Sequence, residues 1–291
     1  MLYVVYRIVF CHIQYTIYDI LLMLNMESSK SGPKLTFSIA DIPLGIALEE
    51  YFLLANNLQV DGLEVVVGWK TRFQMRKLAR LSKRYNVPIL SIHQPAWSVA
   101  GLFNDAGAFK FAKKFNSVFV AHPLVNQHIN SPKSKAYYKW LASMATKYDL
   151  QILIENMTNI YQLMPLLHYV SKKHHDSATD LGNFDTICKK YGFGFTLDIS
   201  HLMAAEPQKA VGFSELWPLM RNIHLSDFTE KKEHMGLGDG LLNYESFLAF
   251  LKEKKYDGLI NLELCPRVLN AREKYYKDIA KSVKIVRDYF A

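Results

Sequence analysis

The sequence predicts a single (β/α)8 TIM barrel preceded by an N-terminal extension. From Lys34 onward, short apolar runs alternate with longer amphipathic stretches, the rhythm of parallel strands joined by helical crossovers. The apolar runs also end in polar, chemistry-bearing residues, which is where such a barrel carries its site. Length agrees, since eight strand–helix units in about 260 residues is the size of this fold and the chain has 291 residues. A doubly wound open sheet is the runner-up. Against it, Asp41-Ile42-Pro43-Leu44-Gly45 follows the first strand, where a dinucleotide-binding sheet would place a glycine-rich phosphate loop. No linker divides the repeat, so residues 34–291 read as one barrel domain and residues 1–33 as an apolar extension and lead-in.

The extension comes first. Residues 1–25 are rich in Leu, Ile, Val and Tyr, but Arg7, His12, Gln14 and Asp19 interrupt them. A spanning helix needs about 20 mostly apolar residues, and a signal peptide needs a basic start, a compact apolar stretch and a small-residue cleavage site. Neither pattern is clean. Met26 is followed by Glu-Ser-Ser-Lys-Ser-Gly-Pro-Lys, a lead-in to a first strand. The stretch reads as an upstream extension outside the fold, with a membrane-associating segment and a packed accessory helix as alternatives.

The strands then follow as Leu35–Ile42, Gly62–Val67, Pro88–His93, Val118–His122, Gln151–Glu155, Gly194–Asp198, Asn222–Leu225 and Gly258–Glu263. Apolar runs of this length fit strands buried on both faces. Between them the helical period is visible. Ser131-Pro132 supplies an N-cap and a first-turn proline, after which Tyr137, Trp140, Leu141, Met144 and Tyr148 recur at spacings of three and four. Asn243–Tyr256 and Arg272–Phe290 behave alike.

Half of the residues are apolar and the formal net charge is +8. A basic balance favours anionic partners: sugar phosphates, nucleic acid or a membrane surface. Much of the excess sits on Arg72, Arg76, Lys77, Arg80, Lys83 and Arg84, which read as the solvated face of a helix. The Lys172-Lys173-His174-His175 run reads as a solvated loop. Cys11, Cys188 and Cys265 are far apart and form no C-x-x-C pair, which suggests neither a disulfide framework nor a thiolate zinc site. A reducing, cytoplasmic compartment fits best.

The strand ends carry the chemistry. The third ends in His93 and the fourth in His122; the fifth ends in Glu155-Asn156. The sixth ends in Asp198 with His201 a turn later, the seventh in His224-Leu225-Ser226-Asp227 and the eighth in Glu263. A charged group inside an apolar run is costly unless paired or metal-bound. Six strands ending this way aim these groups at one cavity, and carboxylates with imidazoles suit Zn²⁺, Mn²⁺ or a similar divalent ion. Plainer roles exist for some: Asp198 as a helix N-cap, His224 as a core histidine, Asp227 as the cap of the next element. His234-Met-Gly-Leu-Gly-Asp-Gly240 follows, and its glycines permit a tight loop whose amides approach a ligand.

Ile154-Glu155-Asn156, Asp198-Ile199-Ser200-His201, His224-Leu225-Ser226-Asp227, His234-x-Gly-x-Gly-Asp-Gly and Leu262-Glu263 together resemble the xylose-isomerase-like TIM-barrel superfamily. That group contains sugar-phosphate isomerases and epimerases, and also class II apurinic endonucleases of the endonuclease IV type. The resemblance runs from about Leu35 to the C-terminus. In the isomerases and epimerases it implies Glu155, Asp198, His224 and Glu263 as ligands of one divalent ion (Mn²⁺, Zn²⁺, Mg²⁺ or Co²⁺). Glu155 and Glu263 would double as base and acid about an enediolate, and His201 would contact substrate. Some epimerases carry a further glutamate shortly after the fifth-strand ligand, where this chain has Ile160 and Tyr161.

In the endonucleases the resemblance implies a trinuclear zinc cluster on His93, His122, Glu155, Asp198, His201, His224, His234 and Glu263. Those enzymes place an aspartate two residues before the last histidine, and this chain has Lys232. A metal-dependent isomerase or epimerase of a small sugar or sugar phosphate is therefore the leading expectation. A zinc-dependent abasic-site endonuclease acting on nucleic acid is the first alternative and a non-catalytic sugar-binding barrel the second. His93, His122, His201 and His234 are then substrate contacts or additional metal ligands, and Asp227 a supporting residue behind the site. A homo-oligomer is compatible with the sequence.

Overall fold

The computed structural model describes residues 32–39, 46–68, 71, 74–94, 105–124, 128–157, 181–205, 216–229, 232–264 and 272–291. The N-terminal extension through residue 31, Arg72, Ile160, Tyr161, the Lys172–His175 run, Cys11 and Cys265 lie outside the described residues. No helix among the described residues is long and apolar enough to cross a membrane.

Strands and helices alternate as β1 (Lys34–Ile39), α1 (Leu48–Asn57), β2 (Gly62–Val66), α2 (Met75–Tyr85), β3 (Ile89–His93), α3 (Asp105–Phe115), β4 (Val118–Ala121), α4 (Pro132–Tyr148), β5 (Ile152–Glu155), α5 (Leu181–Tyr191), β6 (Gly194–Asp198), α6 (Ile199–Ala205), β7 (Met220–Leu225), β8 (Asp227–Thr229), β9 (Lys232–Met235), α7 (Tyr244–Glu253), β10 (Leu259–Leu262) and α8 (Arg272–Phe290). Eight strands close a barrel in the order β1-β10-β7-β6-β5-β4-β3-β2, every neighbour parallel. This is the TIM barrel that the alternation predicts. The β8–β9 hairpin is an addition that the sequence did not signal, because its strands are short and polar.

The strand period of two sorts each barrel strand into two faces. Phe37, Leu63, Val65, Ile92, Phe119, Ile152, Ile154, Phe195, Leu197, Ile223, Leu225, Ile260 and Leu262 are fully buried and join the apolar core shared with the helices. The alternate positions hold Thr36, Ser38, Glu64, Ser91, His93, Glu155, Thr196, Asp198, Asn222, His224 and Asn261, which are buried and polar. The lumen of this barrel is therefore hydrophilic, with Val120 and Leu153 as buried apolar exceptions outside the main core.

The helices behave as their sequence implies. Ser131 caps α4 by accepting from the Ser134 amide at 3.1 Å, and Asn243 caps α7 through the Ser246 amide at 3.1 Å. Arg76, Lys77, Arg80, Lys83 and Arg84 are exposed on α2 while Leu78 and Leu81 are buried, a solvated basic face over an apolar one. Left-handed residues at Asn86 (φ 53) and Asp149 (φ 51) end α2 and α4 and turn the chain sharply into the next strand.

Gly62 marks a tight contact between β2 and β3. A Cβ there would lie 2.7 Å from the Pro88 carbonyl oxygen, and backbone cannot swing aside as a side chain can. Gly62→Ala is expected to cost about 1–3 kcal/mol of stability. Urea denaturation checks it, and an unchanged midpoint contradicts the packing described.

Candidate metal centre

The C-terminal mouth gathers all eight of the sequence-selected ligands and contacts. His93, Glu155 and Asp198 are the last residues of β3, β5 and β6; His122 and Glu263 immediately follow β4 and β10; His224 is the penultimate residue of β7. His201 lies on α6 and His234 on β9. Their donor atoms form three adjoining groups, each with atoms within 4.8 Å of one another: His93–His122–Glu155, Glu155–Asp198–His224–Glu263 and Asp198–His201–His234. Glu155 joins the first group to the second, and Asp198 joins the second to the third.

The central group is the most crowded. His224 Nδ1 lies 2.6 Å from Glu155 Oε1, 2.7 Å from Glu263 Oε2 and 3.9 Å from Asp198 Oδ2. One ring nitrogen carries at most one proton, so it cannot satisfy three carboxylates. The buried Asp198 Oδ2 and Glu263 Oε2 accordingly have no hydrogen-bond partner. Unpaired anionic oxygens out of water are expensive. Three carboxylates and one imidazole form a donor set suited to a hard or borderline divalent cation, and the two unpartnered oxygens are what such an ion would satisfy. Glu263 is 19% exposed while the side chains of Asp198 and His224 are sealed, so the group opens to solvent on the Glu263 side.

Without a cation, histidine protons balance these charges. Burial alone would lower the His224 pKa, but Glu64, Glu155 and Glu263 together drive it well above the usual value. Burial would raise Glu155, but His224 and then His93 hold it well below the carboxylate range. Glu263 is lowered too, with His224 overriding burial. His93, although buried, is pushed up to about 9 by Glu155, whose Oε2 it meets at 3.0 Å. His122 meets the same oxygen at 2.8 Å, yet burial prevails and keeps its pKa low.

Local structure aims these groups. Asp198 Oδ1 accepts from the Ser200 hydroxyl at 2.9 Å and the His201 amide at 2.8 Å. Asp198 is thus the N-cap of α6 with one oxygen while its other oxygen faces the site. The Asn156 side chain clamps β5 to β6, donating to the Asp198 carbonyl and accepting from its amide, both at 2.8 Å. Gln94 Oε1 accepts from the His122 amide at 3.0 Å and so ties β3 to β4. His234 sits at φ 56, an uncommon conformation for a residue with a side chain, with Nδ1 3.2 Å from the Glu263 carbonyl.

Asp227 holds the glycine-rich loop. Its Oδ1 accepts from the amides of Phe228 and Leu242, and its Oδ2 from those of Gly238 and Gly240, at 2.8–2.9 Å. The amides of Gly238 and Gly240 therefore point at Asp227, which revises the expectation that they approach a ligand. Gly240 has no room for a side chain, since a Cβ would lie 2.3 Å from the Phe228 carbonyl oxygen. Glu233, the neighbour of His234, belongs to none of the donor groups.

The model of the xylose isomerase-like TIM barrel family matches residues 53–285. The chain belongs to the xylose isomerase-like TIM barrel family. No curated protein matches it by sequence. Among solved structures, the 3-keto-D-glucoside 4-epimerase of E. coli is 12% identical, with a TM-score of 0.66 over 87% of this chain and 99% of that one. A D-allulose 3-epimerase from Methylomonas sp. is 14% identical, TM-score 0.63, over 89% and 98%. An AP endonuclease, family 2, from Brucella melitensis is 15% identical, TM-score 0.62, over 83% and 96%. At these identities the likeness establishes the fold shared by xylose isomerase-like barrels, not the reaction.

Sequence reading of this xylose isomerase-like barrel missed Glu64. It is fully buried in the lumen and stands with His93, His224 and Glu263 in a further donor group. The signal was present, because Gly62-Leu-Glu-Val-Val sets one carboxylate inside an otherwise apolar strand. Asn261 and Gln94 were missed for lack of charge.

Asp227→Ala leaves four backbone amides without their acceptor and is expected to lower the unfolding free energy by about 3 kcal/mol. Chemical denaturation measures it; a midpoint equal to that of the parent protein means the loop does not depend on this carboxylate.

Proposed function

We propose that the chain is a divalent-metal-dependent isomerase or epimerase of a small sugar or sugar phosphate. The observation that carries this reading is the convergence of Glu155, Asp198, His224 and Glu263 with two buried carboxylate oxygens unpartnered. The four would hold the cation, which supplies a Lewis acid for a substrate carbonyl and its neighbouring hydroxyl. Glu155 and Glu263 rise from strands three places apart in the barrel order and reach the site from different sides. Bound to the cation both would be ionised, so either could accept a proton from the carbon beside the carbonyl and the other return one. His201 and His234, with rings 5.1 Å apart, flank the place where sugar hydroxyls would lie. Two of the solved neighbours are named as sugar epimerases, which supports the same substrate class.

A second reading has its own support. His93–His122–Glu155 and Asp198–His201–His234 are further donor groups against the central one, as a multinuclear phosphodiesterase acting on abasic nucleic acid would need. A neighbour is named an AP endonuclease. Lys232 weighs against it, because a protonated amine stands two residues before His234 where that enzyme class uses a carboxylate.

Elemental analysis of the purified protein is expected to find one tightly held divalent ion per chain, and chelation to abolish turnover of ketose or ketose-phosphate substrates. Two or three zinc ions together with incision of an abasic-site oligonucleotide would move the assignment to the nuclease. Glu155→Gln is expected to reduce turnover by about 10²–10⁴-fold with an unchanged circular dichroism spectrum. Normal turnover by that variant sinks the role given to Glu155.

A further inference from the structure

Glu64 lies on β2, deeper in the lumen than the groups at the mouth, and the reaction proposed above does not use it. It belongs by distance to a donor group with His93, His224 and Glu263. Its hydrogen bonds give it a different character. Oε1 accepts from the Ser38 hydroxyl at 2.7 Å and from Asn261 Nδ2 at 2.8 Å. Oε2 accepts from the Ser91 hydroxyl at 2.8 Å and faces His224 Nε2 at 3.2 Å. Both oxygens are thus engaged by neutral donors and by the ring, in contrast to the unpartnered oxygens of Asp198 and Glu263. A carboxylate satisfied in this way is an anchor, not an open ligand.

What it anchors is the ring. His224 presents Nδ1 to Glu155 and Glu263 and turns Nε2 toward Glu64. A histidine can offer a lone pair at Nδ1 only if its proton stands on Nε2. An anion facing Nε2 favours that arrangement, and a hydrogen bond of this kind both orients the ring and raises its basicity. Asn222 Nδ2 stands 3.0 Å from the same Nε2, and Asn222 Oδ1 has no partner. A proton on Nε2 requires the Asn222 amide in the flipped orientation, which turns its unpartnered Oδ1 to the ring as a second acceptor beside Glu64.

We propose that Glu64 is a positioning residue: through Nε2 of His224 it fixes the ring with Nδ1 free toward the mouth, and so sets the affinity of the cation site. This rests on the reading of Glu155, Asp198, His224 and Glu263 as that site, but not on which substrate the site turns over. The Glu64→Gln substitution tests it sharply. Asn261 Nδ2 and the Ser38 hydroxyl crowd Oε1 as a donor pair, so the amide oxygen would stay there. The amide nitrogen would then face His224 Nε2 and donate to it. The ring proton would move to Nδ1, the atom needed for the cation.

The experiment titrates the full-length, chelator-stripped protein with Mn²⁺ and with Co²⁺, following heat and the visible Co²⁺ absorption. The wild type is expected to bind one ion, and Glu155→Gln to bind poorly. Glu64→Gln is expected to bind about 10–100-fold more weakly with an altered Co²⁺ spectrum, while far-ultraviolet circular dichroism stays the same. Wild-type affinity and spectrum in Glu64→Gln overturn the proposal and leave the cation site standing. A wild type that binds no ion overturns the site itself. If Glu64→Gln does not fold, nitrogen-15 NMR of the Zn²⁺-loaded wild type decides. A proton on His224 Nε2, held in a strong hydrogen bond, supports the anchor; a bare or solvent-exchanging Nε2 overturns it.

Discussion

Crowded negative charge at one imidazole is the constraint on which the rest of this barrel depends. Glu64, Glu155 and Glu263 all approach His224, and Asp198 stands just beyond. Out of water, like charges this close repel by several kcal/mol even when the interior is taken as fairly polarisable, at about 4 kcal/mol for a 4 Å pair. They are tolerated because positive charge is drawn in with them, as histidine protons in the cation-free protein or as a cation at the mouth. Either solution couples the chemistry of the site to the integrity of the lumen.

The lumen is built to serve that coupling. A TIM barrel ordinarily fills its interior with branched apolar side chains. Here Thr36, Asn261, Ser38, Glu64 and Ser91 form a hydrogen-bonded chain beneath the mouth. Such a network is favourable only when its members are satisfied. Asn261 meets that demand by accepting from Thr36 and donating to both Ser38 and Glu64. Stability is supplied elsewhere, by the outward faces of the strands packed under the helices. The two roles are divided by the strand period, so one strand such as β7 gives Ile223 and Leu225 to the core and Asn222 and His224 to the lumen.

The same period explains what the sequence could disclose. Glu155, Asp198 and Glu263 were legible because each breaks an apolar run at its C-terminal end, where parallel strands of a closed barrel must converge. His224 was legible from its motif neighbours. Glu64 breaks its run in the middle of a strand, and without the register that sets Glu64 beside Ser38 and Ser91 its reach to His224 cannot be computed. Asp227 was legible as a cap but not as the acceptor of four amides, because three of its partners lie 11–15 residues downstream across a hairpin. The β8–β9 hairpin has too few apolar residues to leave a periodic signal, and its effect is tertiary: it carries His234 back over the mouth.

Carboxylate oxygens also ration how many cations the mouth can hold. Glu155 has two to give: Oε1 turns to His224, while Oε2 turns to His93 and His122. It can bridge the central group and the His93–His122 group with separate oxygens. Asp198 has one, since Oδ1 is taken by the Ser200 hydroxyl and the His201 amide. Its Oδ2 must serve the central group and the His201–His234 group alike. A helix cap and a bridging ligand are competing uses of the same side chain. The position that could have relieved the shortage, two residues before His234, is Lys232. Geometry and sequence thus agree that the His201–His234 side is the weakest of the three for a cation. Under the proposed sugar isomerase or epimerase reading, that would leave its two imidazoles for hydrogen bonds to a substrate.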